Sequence, residues 1–545
     1  MPKCNEVNLA DYFKMPNPGL KTYIGRTNSG QSDVYYGTFN HVTSEKDVHE
    51  VAQAWMNILS GMDSKYESLL KYETEQMGKI GPMSYQLPLA DRLKDVESYY
   101  EDILLPSEPI DQSAISAVIT EFSKVRGTNV RSVARTWDKM DKSKNSGSPF
   151  FTKKKFAFPK SFPWHVAEVP NSYNNRYRGY VQDLKDILRR SETYSAAALL
   201  GWRGQSGGPS VDDVKQRVIW MFPLVYSVEE LRVYQPLIEQ MQKHELVAPW
   251  LGTDAVDARM TQLFDTKSKD DLVVCTDFSK FDQHFNADMA EAAELIVGSL
   301  LARNKTTRDW MRRIFPVKYH IPLICNEETM YVGRHGMASG SGGTNFDETM
   351  THRALQYEAA IRNNSRLNLN SMCLGDDGVI TYPGITVEQV MQAYSSHGQD
   401  MNEDKQYVST HEAIFLRRWY DSNYRVEGIC VGVYPTMRAL NSLMHQEKYY
   451  NPEIWSKEMV ALRQLSIIEN CKYHPMRDQF AEFCMERDKF RLGLDIPGFL
   501  DNIGALAKKS IEFMPDFLGY LRGLNRDSET RGIESWWIVN YLKSK

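Results

Sequence analysis

The sequence predicts a chain of two or three lobes, with α+β or α/β texture at its centre and a mainly helical C-terminal part. Three observations carry this expectation. The 545 residues exceed what one hydrophobic core usually supports. From Asp271 onward short apolar runs alternate with helical patterns, and after about Tyr434 three-to-four apolar spacing continues almost to the end. A content of 42% apolar and 25% charged residues is that of an ordinary globular protein.

Taken in order, residues 1 to about 65 are polar with Gly and Asn punctuation, but "VHEVAQAWMNILSGM" within them has the spacing of an amphipathic helix. Residues 66 to 260 mix helical patterns with loops rich in Gly, Ser and Pro, the longest expected at "LLGWRGQSGGPSVDD". "DLVVCTDF" reads as a strand, "ADMAEAAELIVGSLLARN" and "ETMTHRALQYEAAIRNN" as helices, and "MCLGDDGVITY" as a hairpin. The segments "PEIWSKEMVALRQLSIIENCKY" and "MRDQFAEFCMERDKF" read as helices. No repeat or low-complexity tract stands out. No run approaches the ~18 unbroken apolar residues of a membrane span, and the start "MPKCNEVNLADYF" lacks the layout of a secretory signal. The seven cysteines are scattered without a CxxC pair, which argues against a zinc site or a disulfide framework and for a reducing interior.

The net charge of -5 by itself argues against a nucleic-acid partner, because phosphate neutralisation needs local Lys and Arg. The cations are clustered, however. "KSKNSGSPFFTKKKFAFPK" carries Lys142, Lys144, Lys153, Lys154, Lys155 and Lys160 with phenylalanines and no acid. "RYRGYVQDLKDILRR" adds Arg176, Arg178, Lys185, Arg189 and Arg190, and "VKQRVIWMFP" adds Lys215 and Arg217. Each run alone reads equally as a solvated loop; lining one cleft, they would focus the field on a polyanion.

Acidic residues supply the chemistry. "LVVCTDFSKFDQHF" is a strand running into Asp277, with Asp282 after a short turn, and Asp376 and Asp377 sit side by side in the hairpin. Two carboxylates about 4 Å apart repel by roughly 4 kcal/mol at an effective dielectric near 20, so they persist together only if protonated or matched by cations. Hard Mg²⁺ takes carboxylate oxygens while keeping positions for water and phosphate, and two ions stabilise both oxygens of an in-line phosphoryl transfer. "GMASGSGGTNFDET" adds glycines and small hydroxyls running straight into a helix, suited to ribose and phosphate contacts or, read alone, to a flexible linker.

In this order these residues resemble the palm of a viral RNA-dependent RNA polymerase, and most closely the polymerases of double-stranded RNA viruses of the picobirnavirus kind, with partitiviruses the alternative. "NSGSPFF" is similar to the template-entry loop, with Ser146, Gly147, Pro149 and Lys153 to Lys155 toward RNA, and "KQRVIW" resembles the basic strand that holds the triphosphate. "HGQDMNEDKQ" places Lys405 as candidate general acid, and "FLRRWY" places Arg417 and Arg418 in the primer-grip hairpin. The resemblance implies an α+β closed right hand: an N-terminal bridge (1–65), fingers (66–262, with an insertion at 309–335), palm (263–308 and 336–430) and a thumb with C-terminal tail (431–545).

It also implies RNA-templated synthesis from ribonucleoside triphosphates, replicating and transcribing a double-stranded RNA genome, with initiation that needs no primer. Asp277, Asp376 and Asp377 would hold two Mg²⁺ or Mn²⁺ ions. Asp282 would sit near the ribose 2′-hydroxyl with Ser339, Thr344 and Asn345 helping to read it, and Lys215 and Arg217 would neutralise the triphosphate. Many relatives carry Asn four residues after the loop threonine, where this chain has Glu348, so either Asn345 or an acid takes the ribose role. Expected partners are RNA template and product and a viral capsid protein, without a membrane; the expected setting is the virion interior and the host cytoplasm. A reverse transcriptase would usually show Tyr-x-Asp-Asp at the hairpin, whereas Leu374 and Gly375 stand here. A two-metal nuclease or phosphatase leaves the glycine loop unexplained, and a non-catalytic RNA-packaging protein leaves the acids unexplained. The tail "ESWWIVNYLKSK" offers Trp536, Trp537 and Tyr541 either as thumb core or as a stacking face for a priming nucleotide.

Overall fold

Helix and strand fall where periodicity places them, with one exception. The structure, a computed structural model, describes residues 18–101, 105–147, 151–157, 197–327, 329–331, 333–451, 453, 455–510 and 532–545. The strands that matter below are β1 (Ala198–Gln205), β2 (Lys215–Met221), β3 (Val273–Thr276), β4 (Leu323–Ile324), β5 (Met330–Tyr331), β6 (Met372–Leu374), β7 (Asp377–Ile380), β8 (Tyr407–Ser409), β9 (Glu412–Phe415) and β10 (Arg418–Asp421). The helices are α1 (Glu45–Leu59), α2 (Glu67–Met77), α3 (Gln112–Glu121), α4 (Leu224–Lys243), α5 (Ala287–Leu300), α6 (Thr344–Arg362), α7 (Val387–Ser395), α8 (Thr436–Met444), α9 (Lys457–Glu469), α10 (Arg477–Arg487) and α11 (Trp537–Lys543).

The exception is the expected Gly-rich loop from Leu199, whose first part is strand β1. Leu199 and Leu200 are fully buried, and an added Cβ at Gly204 would run into the Met83 carbonyl, 3.1 Å from its carbon. Glycine here marks close approach of backbone to a strand rather than a loop. Two four-stranded sheets result, in the orders β2-β1-β4-β5 and β8-β3-β7-β6.

Contacts divide the chain into two compact units, Met1–Ser29, Pro88–Trp202 and Val218–Ala413 forming one, and Gly30–Leu87, Arg203–Arg217 and Ile414–Lys545 the other. At the centre of the first lies α6, packed on α3, α5 and α7. Fourteen of its 19 residues are buried, so its polar side chains need partners. Arg353 grips Glu121 through both ends of its guanidinium, at 2.9 and 2.7 Å. Gln356 donates to the carbonyls of Met372 (2.9 Å) and Val379 (3.3 Å), tying α6 to β6 and β7.

In the second unit Ser44 caps α1, and Val48, Ala52, Trp55 and Leu59 form its buried stripe. They join a core with Leu440 and Leu443 of α8 and Leu462 and Leu465 of α9, each such side chain contributing about 1.5–3 kcal/mol. The buried Glu73 on α2 accepts the N–H groups of Thr436 (2.6 Å) and Met437 (2.9 Å), supplying the start of α8 with a carboxylate from elsewhere in the chain. The C-terminal helix α11 buries Ile538, Val539 and Leu542 in this core. Trp537 donates to Asp478 (3.2 Å) and Tyr541 to Glu482 (2.6 Å). Trp536, Trp537 and Tyr541 themselves are partly buried against this core, which is the thumb-core placement of the tail.

Candidate active site

The site begins with register. In the antiparallel pairing of β3 with β7, Val274 faces Ile380, Cys275 faces Val379 and Thr276 faces Gly378. One step further, Asp277 comes opposite Asp377, a position about 5 Å away between Cα atoms in an antiparallel pair. Strand β6 joins β7 through a two-residue turn, Gly375 and Asp376, with Leu374 paired to Asp377. The turn needs positive φ at its first position, and Gly375 supplies it (φ 59°). Gly378 lets the layers close: an added Cβ would lie 2.6 Å from His352 Cε1 and 2.7 Å from Thr276 Oγ1. Three carboxylates thus gather at one end of the sheet, those of Asp277 and Asp376 exposed and that of Asp377 half-buried.

Four side chains fasten this end. The Gln406 carboxamide accepts from Asp277 N–H (2.9 Å) and donates to Asp277 C=O (2.8 Å). Gly375 N–H donates to Thr349 Oγ1 (3.0 Å), and Gly375 C=O faces His352 Nδ1 at 2.8 Å. Burial pulls His352 down to about 4, so the ring is neutral and the proton that bonds this carbonyl sits on Nδ1. The fourth is Glu348, one helical turn before His352. It is buried, its Oε2 lies against Gly375, and it hydrogen-bonds Asp282. Burial, then the charge and hydrogen bond of Asp282, then Asp376 and Asp347 push it well above the usual carboxylate range. Its Oε1 has no hydrogen-bond partner among the described residues. Thr349, His352 and Gln406 escaped the sequence reading: Thr349 and His352 lie with Glu348 on one helix, but the backbone groups these side chains meet are set by the fold.

Asp282 is half-buried in the turn after the short strand Phe278–Ser279. Its carbonyl accepts from Met337 N–H at 2.7 Å, which brings the glycine loop to it. In that loop Ser339 donates to Val218 C=O (3.3 Å) and Thr344 to Ala338 C=O (3.2 Å). Asn345 Oδ1 is taken by the Trp250 indole N–H at 2.7 Å, which leaves Glu348 as the residue of that pair touching Asp282. Lys405 is exposed in the single turn Glu403–Lys405, immediately before Gln406.

The other expected residues sort as follows. Lys215 and Arg217 are exposed on one face of β2, with Arg217 Nε donating to Gln205 at 2.8 Å. Ser146 is fully buried, its hydroxyl turned into its own loop toward Gly147 C=O, and Gly147 adopts φ 64° against Phe222 C=O; both shape the loop. Lys153 and Lys155 are exposed, whereas burial lowers the Lys154 ammonium, with Asp141 opposing and Lys144 adding to the shift. Arg417 is exposed at the β9–β10 turn, and Arg418 donates to Asn470 C=O (3.1 Å). Pro149, Lys160 and the cations from Arg176 to Arg190 lie outside the described residues. All three clustered acids offer hard oxygen donors, the set that suits a divalent ion of the Mg²⁺ or Mn²⁺ type.

Comparison with known proteins agrees with this geometry. The family model described as viral RNA-dependent RNA polymerase matches residues 205–484. The chain is 49% identical over 540 residues to the "Potential RNA-dependent RNA polymerase" of a Thai strain of Human picobirnavirus, covering 98% of each. The crystal structure of the RNA-dependent RNA polymerase of a human picobirnavirus superposes with a TM-score of 0.88 at 47% identity, covering 99% of this chain and 100% of that one. That enzyme's insertion-loop deletion mutant superposes at 0.87 with 46% identity over the same shares. A right-hand polymerase fold, a cluster of three carboxylates and relatedness over the full length coincide: the chain belongs to the viral RNA-dependent RNA polymerases.

Proposed function

We propose that this polymerase replicates and transcribes a double-stranded RNA genome by two-metal nucleotidyl transfer, within a virion and in the host cytoplasm, in association with a capsid protein. The observation that carries the chemistry is the register that sets Asp277 opposite Asp377 beside the Asp376 turn. Its family uses divalent metal ions; when bound by Asp277, Asp376 and Asp377, two Mg²⁺ or Mn²⁺ ions would supply charge compensation at the reacting phosphate. Asp282, braced by Glu348, would accept a hydrogen bond from the ribose 2′-hydroxyl, and Ser339 and Thr344 would line the nucleotide. Lys215 and Arg217 would neutralise the triphosphate, and Lys405 would give a proton to the departing pyrophosphate. Phosphoryl transfer asks mainly for this positioning and charge balance. The picobirnavirus relatives support the genome type through the resemblance drawn from sequence. Initiation without a primer belongs to the same reading.

The test is incorporation of labelled ribonucleotides on a single-stranded RNA template with Mg²⁺ or Mn²⁺, without primer, comparing the parent with Asp376→Ala. The reading expects synthesis by the parent, and its loss in the variant with the melting temperature kept. A parent that only binds or cleaves RNA would overturn it.

A further inference from the structure

A buried ionic cluster joins α4 to the glycine loop, and the chemistry above does not use it. Glu230 on α4 is fully buried. Its carboxylate accepts from the Ser341 hydroxyl and from Gly342 N–H (3.3 Å), and Ser341 Oγ accepts from Gly343 N–H (3.0 Å). One carboxylate therefore reaches three consecutive loop residues, directly or through one hydroxyl. The loop also lies flat on this helix: an added Cβ would be 3.0 Å from Leu231 at Gly342 and 2.4 Å from the Tyr234 ring at Gly343. Beneath it Lys318, fully buried, is 3.0 Å from Asp347 and donates to Tyr234 Oη (2.9 Å) and Phe315 C=O (2.8 Å). Asp347 accepts from the hydroxyls of Tyr234 (2.9 Å) and Tyr319 (2.8 Å).

Two acids and one base in a dry site are costly unless their hydrogen bonds are satisfied. Burial pushes Glu230 up to about 7, with Lys318 and the loop's hydrogen bonds pulling the other way and Asp347 adding to the rise. A segment with glycine at 340, 342 and 343 has many conformations open to it; the carboxylate at its root selects one.

We infer that Glu230 is the positioning residue of the nucleotide loop: through Ser341 and Gly342 it holds the conformation that presents Ser339 and Thr344 to the incoming ribonucleotide. The inference rests on the assignment of Ser339 and Thr344 to nucleotide binding. Glu230 itself touches no substrate, and Lys318 and Asp347 balance its charge.

The experiment uses the full chain as parent, Glu230→Ala, Glu230→Gln, Ser341→Ala and Ser339→Ala. It reads KM and kcat for a ribonucleoside triphosphate on an RNA template, template affinity, and amide hydrogen exchange of residues 336–343 without nucleotide. Glu230→Ala is expected to speed exchange in the loop and raise KM roughly tenfold, the size expected for a lost buried hydrogen bond, with template affinity unchanged. Glu230→Gln, which keeps an acceptor for Gly342, is expected to recover most of KM. Parental exchange and KM in Glu230→Ala, or a raised KM accompanied by an equal loss of kcat and of template affinity, overturns the inference. If Glu230→Ala does not fold, Ser341→Ala is read by the same criteria. Faster exchange with an unchanged KM overturns the inference while Ser339→Ala still raises KM; if Ser339→Ala also leaves KM unchanged, the nucleotide assignment is what has failed.

Discussion

Glu348 stands where many relatives carry asparagine, and replacing it tests how this chain reads the sugar. Its carboxyl is 5% exposed and hydrogen-bonded to Asp282, with Asp376 and Asp347 adding negative charge. Two carboxyl groups share a hydrogen bond only with a proton between them, and every influence on Glu348 favours keeping that proton. In effect the acid acts as a neutral donor. Glu348→Gln supplies an N–H at the same place without a proton to lose, whereas Glu348→Ala leaves Asp282 without the bond. A hydrogen bond to a charged group contributes about 1.5–3 kcal/mol, or roughly 10- to 150-fold. If Asp282 meets the ribose hydroxyl, that factor falls on discrimination. The assay is single-nucleotide incorporation on an RNA template, comparing kcat/KM for ATP and dATP. Glu348→Ala is expected to lower the ratio by at least tenfold, on the estimate above, and Glu348→Gln to stay close to the parent. A parental ratio in Glu348→Ala with both nucleotides slowed equally, or Gln as damaging as Ala, refutes the reasoning.

Three further outcomes follow from the same geometry. Gly378→Ala would place a methyl group 2.6 Å from His352 Cε1, an overpacking that costs about 1–3 kcal/mol; synthesis is expected to fall sharply as the hairpin shifts, and parental activity would contradict the account. Charge reversal at the exposed pair Lys153 and Lys155 is expected to weaken template binding at low salt, with the deficit shrinking as salt rises; unchanged low-salt affinity removes these residues from the RNA path. His352 and His445, at about 4 in the fold against an ordinary 6.5, resist protonation while the unfolded chain accepts it. Their stabilisation is full above about pH 6.5 and is lost as pH falls toward 4, on the order of 3 kcal/mol each. A melting temperature that stays flat over that window argues against buried neutral rings.

Much of the site was legible because its signals are local. Alternation to 2 and 3.6 residues located β3, β6, β7 and α6, and an apolar strand ending in Asp277, with Asp376 and Asp377 after a turn glycine, placed the acids without knowledge of the fold. Electrostatics then asked for a cation between them. The "LLGWRGQ" run was misread because glycine in a strand under close backbone approach looks, residue by residue, like glycine in a loop. Gln406, Thr349 and His352 carry no local mark: each acts on a backbone group far along the chain, and only tertiary packing decides which amide a side chain meets.

The sequence by itself determined the family, the order of elements and the candidate acids of the hairpin and strand end, since these follow from pattern, charge and spacing along one dimension. Tertiary structure decided the register that sets Asp277 against Asp377, the choice of Glu348 over Asn345 beside Asp282, the burial of the apolar face of the C-terminal helix and the anchoring of the glycine loop by Glu230. The physical reason is shared: proton affinity, hydrogen-bond partners and accessibility depend on which distant groups exclude water from a site, and that exclusion exists only once the chain has folded.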